Sequence, residues 1–431
     1  MDFSLLDRLA PWAVGAASAS AGLYILLGPK SESTSLQGAR GLQNLGNTCF
    51  MNATLQALAG SSHFVSWMSD ACKNIPEGIK DYMPMTVGVH QVMLALSSDN
   101  SNTAVHWPES MLQALCSHGW KTGGEEQDAH ELFHIMLMAL VHEFSMWRDT
   151  LSLLDVHIAL QLPLRDVPHG VTIPRRSVTA LPYLFQGSGG GGCNGDPFNG
   201  LLVTSMQCTA CGQCRPLQYS HFDCLSLLLP RRYWSTSVFV PTAQLLKWFC
   251  RQETLEGVEC DSCTRTLARV TSSHLTAATP TVRSNFTKSV SVARLPRCLC
   301  LQIQRLYWMP TGTPLKSETA IACPELLDMS PFTTAHGDQQ QQQQRLGGNA
   351  QAGDVRQQYR SWRSRYYRLK SIVVHQGGAG GGHYVAYRRG HTDPSTWWRI
   401  SDATVRQVEQ CNVDVCRAYM VFYEKQERGP S

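Results

Sequence analysis

The chain has no large excess of charge of either sign. Its 431 residues carry 37 Lys and Arg against 33 Asp and Glu, a formal net charge of +4. That is too little to mark a nucleic-acid-binding protein, whose affinity rests on a basic surface. The one basic cluster, Arg360-Ser361-Trp362-Arg363-Ser364-Arg365 running into Tyr366, Tyr367, Arg368 and Lys370, reads as a solvated strand edge or loop. The chain also lacks the form of a disulfide scaffold. It has 16 cysteines, but such scaffolds are short chains without a core, whereas 43% hydrophobic content at this length allows a sizeable one. Some cysteines lie inside apolar runs, as Cys298 and Cys300 do. Others form Cys-x-x-Cys pairs, which read as metal sites in a reducing compartment. Beyond Lys30 no segment is apolar enough to cross a bilayer.

The N-terminus differs from the rest. Leu9 to Pro29 contains no charged residue and is bracketed by Arg8 and Lys30. That is about the 20 residues a spanning helix needs. A secretory signal would run from a positive start through an apolar core to small residues. Here small residues come first (Ala13 to Gly22), the apolar core Leu23-Tyr24-Ile25-Leu26-Leu27 comes last, and Asp2 and Asp7 offset Arg8. A core or interfacial helix stays open as a reading, although Ser31-Glu32-Ser33-Thr34-Ser35 follows at once as a linker. The expectation is an N-terminal transmembrane helix and linker over residues 1–35, with a folded domain over 36–431. The positive-inside rule only weakly favours a cytosolic domain, with Lys30 and Arg40 on one side and Arg8 on the other.

Within that domain, helical spacing comes first. Phe50, Met51, Leu55 and Leu58 recur at helical intervals behind Asn47-Thr48, and helices are expected over Val87–Leu96, Trp107–Ser117 and Asp128–Phe144. In the last, Leu132, Phe133, Met136, Leu137 and Leu140 form a core stripe. Strands are expected over Leu201–Cys214, Ser220–Leu229, Arg368–Val374, His383–Arg388, Trp397–Ile400 and Ala418–Tyr423. Gly187 to Gly192 is a break. Gln339 to Gln344 followed by Gly347-Gly348 marks an insert over about 336–355 that cannot bury a core. Helices followed by sheet indicate an α+β domain.

Two stretches carry chemistry. In Gly41-Leu42-Gln43-Asn44-Leu45-Gly46-Asn47-Thr48-Cys49-Phe50-Met51-Asn52 a cysteine stands where a loop becomes a helix. The helix N-terminus favours a thiolate there. Alone, Cys49 reads as a nucleophile or as a buried structural thiol behind a Gly-Asn turn. In Gly377-Gly378-Ala379-Gly380-Gly381-Gly382-His383-Tyr384-Val385-Ala386-Tyr387 a glycine-rich loop delivers a histidine to a strand. Such glycines leave room for a substrate backbone beside a rigid base. Alone, His383 reads as a base or as a satisfied strand histidine. Separately, Cys208-Thr209-Ala210-Cys211 and Cys260-Asp261-Ser262-Cys263, about fifty residues apart, can bring four thiolates to one tetrahedral Zn²⁺. Cys214 lies close enough to compete as a ligand.

Together these stretches resemble the ubiquitin-specific proteases, the papain-like deubiquitinases. The nucleophile box matches from Gly41 to Asn52, a second box at Glu126-Gln127-Asp128-Ala129-His130-Glu131-Leu132, a third at His383 to Tyr387, and a tail at Trp398-Arg399-Ile400-Ser401-Asp402-Ala403-Thr404-Val405. The resemblance implies a papain-like fold with a helical thumb, a β-rich palm and zinc-bearing β fingers at about 195–300. It implies Cys49 as nucleophile, His383 as base and Asn44 as oxyanion donor, with Cys208, Cys211, Cys260 and Cys263 on a structural zinc. The family usually has Asp-Asp where this chain has Ser401-Asp402, so the third triad position falls on Ser401, with Asp402 as the alternative. A neutral partner suffices in papain-type enzymes, which orient their histidine with an asparagine.

The implied reaction is hydrolysis of the isopeptide bond between ubiquitin's C-terminal glycine and a substrate lysine. The glycine tail would pass near Gly381 and Gly382, and Asp128 would meet an arginine of ubiquitin's tail. The uncharged N-terminal run joined to this protease narrows the resemblance to the family member held in the mitochondrial outer membrane, with its catalytic domain in the cytosol. That implies ubiquitinated membrane proteins as partners, opposition to ubiquitin-triggered mitophagy, and a monomer that binds no nucleic acid. The alternatives are a non-catalytic ubiquitin-binding scaffold and a protease for a ubiquitin-like modifier.

Overall fold

In a computed structural model, residues 39–426 are described except 74, 76, 98–104, 121–126, 161–195, 235–238, 272–280, 335–364 and 392; side chains of 77, 145–160, 270 and 271 are likewise not described. The expected N-terminal anchor, the Gly187–Gly192 break and the glutamine-rich insert therefore lie outside the described residues. Among the described residues no helix is long and apolar enough to cross a membrane.

The first helix, Cys49–Ala59, is buried along its whole length. Its apolar residues are spread around the axis, and a helix of that kind belongs inside a fold. Two of its polar members, Thr54 and Gln56, find partners there, as burial favours. Thr54 Oγ1 donates to the Phe50 carbonyl, Gln56 Nε2 donates to the Arg40 carbonyl, and Gln56 Oε1 accepts from Arg388 Nε at 3.0 Å. Around it stand Ser62–Lys73, Pro84–Ser97, Glu109–Ser117 and a long helix, Ala129–Leu160. The expected helices are all present. The long one runs past Phe144, because its start is fixed by a cap and no Pro or Gly follows before its end to stop it.

Two buried carboxylates pin these helices. Glu143 of the long helix accepts from the Met85 and Thr86 amides, from the Thr86 hydroxyl and from His118 Nε2 at 2.8 Å. It thereby satisfies otherwise orphaned donors at the start of Pro84–Ser97. Glu424 does the same for Ser62–Lys73, accepting from the His63 amide and from the Ser61 and Ser62 hydroxyls. Burial works against its charge, but His63 and Lys370 overcome this and hold its carboxyl far below the usual carboxylate range.

The remaining chain supplies strands β1 Gly200–Cys208, β2 Gln218–Phe222, β3 Cys224–Leu228, β4 Phe239–Pro241, β5 Glu253–Glu259, β6 Arg283–Arg294, β7 Cys298–Gln304, β8 Leu306–Trp308, β9 Pro314–Lys316, β10 Ala320–Ala322, β11 Leu326–Asp328, β12 Tyr366–Gly377, β13 Gly382–Arg389, β14 Trp397–Ser401, β15 Thr404–Val408, β16 Val415–Cys416 and β17 Ala418–Lys425, with helices Thr242–Phe249 and Asp261–Thr271 inserted. The palm sheet has the order β15-β14-β13-β12-β17-β7-β3, with β11 pairing on β12. The fingers sheet is β2-β1-β6-β5, and β16-β10-β4 and β8-β9 form two small sheets. The two expected segments around 201–229 resolve into β1, a metal-type turn, β2 and β3. The strand expected over Leu201–Cys214 ends at Cys208, where the Cys-x-x-Cys knuckle turns the chain.

The central strands of the palm sheet are buried on both faces. Cys298, Cys300, Val373, Ala386, Met420 and Phe422 face the helical thumb, whereas Leu299, Leu301, Ile372, Val374, Val421 and Tyr423 face the layer containing Leu245 and Leu246. This explains the uninterrupted apolar run at 298–303. A strand covered on both sides loses the polar alternation of a half-exposed one.

Candidate active site

The site forms where the first helix meets the β13–β15 end of the palm. Gly46 and Asn47 both take left-handed conformations, φ 95° and 53°, turning the chain sharply before Cys49 opens the helix. Asn tolerates that region better than most residues. Thr48 does not cap the helix with its side chain. Its hydroxyl instead accepts from the Leu45 amide and donates to Asn44 Oδ1 at 3.2 Å. Asn44 Oδ1 also accepts from the amides of Gly46 and Thr48, at 3.0 and 3.1 Å. The loop is thus wound around the Asn44 side chain, which fixes the direction of its Nδ2.

His383 stands on β13, and its Nε2 lies 2.8 Å from Ser401 Oγ at the end of β14. Asp402 Oδ2 is 4.0 Å from the same nitrogen, beyond hydrogen-bond reach. Both oxygens of Asp402 are engaged elsewhere. Oδ2 accepts from Asn44 Nδ2 at 2.9 Å, and Oδ1 accepts from Asn52 Nδ2 at 2.8 Å. Asp402 is held for this by its own turn: Ser401 pairs with Thr404, so Asp402-Ala403 is a two-residue hairpin loop with Asp402 at φ 49°. The Leu42 amide donates to the Asp402 carbonyl at 3.0 Å. A Cβ on Gly41 would come within 2.6 Å of the Ala403 carbonyl oxygen, so the nucleophile box must begin with glycine for the two loops to meet.

The four residues singled out from the sequence, Asn44, Cys49, His383 and Ser401, are thus carried by elements that Asp402 ties together. Asp402's bond to Asn44 was not legible in the sequence. Its nearest signal was Asn52, one of three polar residues in the fully buried helix, each of which calls for a buried partner. The glycines before His383 also have a reason of their own. Gly382 pairs with Gly377 to close the β12–β13 hairpin, and a Cβ there would meet the Gln376 carbonyl oxygen at 2.0 Å and His375 Nε2 at 2.6 Å. Asp128 caps the long helix, its Oδ1 accepting from the His130 and Glu131 amides at 2.8 and 3.0 Å. Its Oδ2 accepts from the hydroxyls of Tyr384 and Tyr419, joining the helix to the strands on either side of the palm's centre.

In the fingers, Cys208 ends β1, Cys211 lies in the following turn, Cys260 lies between β5 and the helix Asp261–Thr271, and Cys263 sits in that helix's first turn. Their four sulfurs lie within 4.8 Å of one another, with Cys208–Cys263 at 3.9 Å and Cys211–Cys260 at 3.6 Å. A tetrahedral zinc with Zn–S of about 2.3 Å would place its sulfurs about 3.8 Å apart. The donor set and its spacing therefore fit such a metal. Cys214 is exposed and stands outside the cluster.

The family described as ubiquitin carboxyl-terminal hydrolase matches residues 40–423. Ubiquitin carboxyl-terminal hydrolase 30 of Xenopus tropicalis is 30% identical over 458 residues, covering 95% of this chain and 86% of the relative. The Homo sapiens protein of that name is 28% identical, covering 95% and 89%. Among solved structures, the SAGA Ubp8 deubiquitinating module bound to ubiquitin aldehyde shares the fold with a TM-score of 0.60 at 20% identity, covering 98% of this chain and 76% of that one.

Proposed function

The chain belongs to the ubiquitin carboxyl-terminal hydrolase family and is a cysteine protease acting on ubiquitin conjugates; from that premise we propose how its residues divide the work and where it acts. Cys49 Sγ attacks the carbonyl carbon of ubiquitin's C-terminal glycine in an isopeptide bond to lysine. His383 is oriented by Ser401 through Nε2, which leaves Nδ1 as the ring nitrogen for the Cys49 proton. The imidazolium then protonates the departing lysine amine, a thioester forms, and water activated by His383 releases ubiquitin. Asn44 Nδ2, with one hydrogen committed to Asp402, offers its second to the oxyanion, supported by amides of the helix's first turn.

The observation that carries this reading is the bond between His383 Nε2 and Ser401 Oγ, with Asp402 turned onto Asn44 and Asn52. The test is labelling with ubiquitin bearing a C-terminal electrophile. A covalent adduct mapped to Cys49 is expected. No adduct would return the non-catalytic scaffold, and labelling only by the probe of a ubiquitin-like modifier would reassign the substrate.

The four finger cysteines hold a structural Zn²⁺, and four thiolates leave no position for water. Purified protein should contain about one zinc per chain, and Cys211→Ser or Cys260→Ser should lower it and destabilise the fingers, since structural metal binding is coupled to folding. A fully active protein free of zinc would contradict the site.

Residues 1–35 form a membrane anchor and linker and residues 36–431 the catalytic domain, on the mitochondrial outer membrane facing the cytosol. There the enzyme removes ubiquitin from membrane proteins and opposes ubiquitin-triggered mitophagy. The support is the uncharged run Leu9–Pro29 and its union with this protease. Deleting Met1 to Ser35 should release active enzyme into the cytosol; truncated protein that still sediments with membranes would remove the anchor from this segment.

A further inference from the structure

Two thiols away from the catalytic centre and the zinc cluster lie against each other. Cys224 opens β3 and Cys300 lies in β7, and the two are register partners in a parallel pair. Register partners on paired strands project to the same face. Here the Cys224 thiol donates to Cys300 Sγ at 3.3 Å. Adjacent strands stand about 4.8 Å apart, within the Cα separation a disulfide accepts, roughly 4.4–6.8 Å. Closing the bond therefore asks for side-chain movement and no strand displacement.

The two sulfurs differ in access. Cys224 is partly exposed, and Cys300 is fully buried. Burial, followed by the Cys224 contact, pushes the Cys300 thiol well above its ordinary range. A small oxidant meets Cys224 first, and Cys300 waits beside it, shielded from the same reagent. Their place in the chain gives the pair a mechanical meaning. Cys224 follows finger strand β2 directly, while Cys300 follows finger strand β6 across a short connection. A bond between them would staple the base of the fingers, and it would tie strand β3 to its partner β7. Asp223, the neighbour of Cys224, already holds His134 Nδ1 of the long helix at 2.8 Å.

We propose that Cys224 and Cys300 form a peroxide-oxidisable dithiol, a reversible modification site at the junction of fingers and palm. The oxidant is a hydroperoxide. The Cys224 thiolate takes the terminal peroxide oxygen and becomes a sulfenic acid, with the other oxygen leaving as an alcohol or as water. Cys300 sulfur then attacks the Cys224 sulfur; the S–O bond breaks, and the hydroxide leaves with the Cys300 proton as water. Two thiols and one hydroperoxide thus give one disulfide, one alcohol or water from the peroxide and one water. A resolving thiol at this distance also keeps Cys224 from climbing to the irreversible sulfinic acid.

The test treats the full chain, and in parallel its Cys49→Ala variant, with a few equivalents of hydrogen peroxide, blocks remaining thiols with N-ethylmaleimide, and maps peptides without reduction. The expected product is a peptide pair joined through Cys224 and Cys300, present in both proteins and abolished by dithiothreitol. The oxidised protein should melt a few degrees higher, because the bond closes a long loop in the unfolded chain. Cys300→Ala should divert Cys224 to sulfenic and sulfinic acid, trapped by dimedone and seen by mass. Recovery of Cys224 as its maleimide adduct under conditions that oxidise Cys49, or as sulfinic acid in the wild-type chain, overturns the proposal. So does linkage of Cys224 to any other cysteine. The wild-type map decides the matter even if the alanine variant does not fold.

Discussion

Cys49→Ala should release no measurable fluorophore from a ubiquitin C-terminal fluorogenic substrate, while the variant still binds ubiquitin. Loss of a protease nucleophile costs about 10⁶-fold in kcat, which places the residual rate below detection. The substitution is mild for the fold. Cys49 is only 5% exposed and begins a helix packed on every side. Alanine is a good helix former, and the change removes one sulfur from the edge of that packing. Binding should persist because nothing else in the cleft changes: Asp402 keeps Asn44 and Asn52, and Ser401 keeps His383. Titration with ubiquitin, a thermal melt and the hydrolysis assay separate the three effects. Turnover surviving in a folded variant would remove Cys49 from the chemistry.

The second large effect distinguishes the two neighbours at the end of β14. Ser401→Ala should lower kcat by about 10- to 100-fold with KM nearly unchanged, the scale on which losing a histidine's orienting partner is felt. Asp402→Ala should cost about 10²- to 10³-fold, because it frees Asn44 Nδ2 from its carboxylate partner and so disorders the proposed oxyanion donor. It also removes the 2.8 Å bond that ties Asn52 Nδ2 of the helix to the β14–β15 turn, leaving that nitrogen its 3.2 Å bond to the Gln43 carbonyl, so the melt should fall, unlike that of Ser401→Ala. Double variants identify the route of each effect. Asp402→Ala and Asn44→Ala should be strongly non-additive, since both remove the same donor, whereas Ser401→Ala should add to either. Ser401→Asp should keep activity by placing a carboxylate on His383 Nε2. If Ser401→Ala is silent and Asp402→Ala adds fully to Asn44→Ala, Asp402 orients the histidine and the geometry at rest misleads.

Much of the fold was readable locally. The helix at Cys49 follows from the spacing of Phe50, Met51, Leu55 and Leu58, and the long helix from Leu132, Phe133, Met136, Leu137 and Leu140, because helical periodicity is a property of neighbouring residues. Strands β12, β13, β14 and β17 were visible for the same reason. The helix Ser62–Lys73 was missed, since its start depends on Glu424, a residue over 360 positions away. The run at Cys298 to Ile303 showed burial but not its cause, which is a sheet covered on both faces.

The sequence by itself determined the chemistry on offer: a cysteine at a loop-to-helix step, a histidine after a glycine loop, four thiols in two knuckles, and the boxes that mark the family. Which atoms meet was decided by the tertiary structure. Ser401 and Asp402 are adjacent, and both were candidates for one histidine; nothing in their order says which faces it. The β14–β15 hairpin sets which of the two side chains lies nearer, Ser401 Oγ at 2.8 Å and Asp402 Oδ2 at 4.0 Å from His383 Nε2. Ser401 ends a strand beside His383, while Asp402 takes the left-handed turn that swings its carboxylate onto Asn44 and Asn52. Hydrogen bonds at this range depend on side-chain direction to within an ångström. That direction is fixed by strand pairing and loop contact across the fold, which local sequence does not encode.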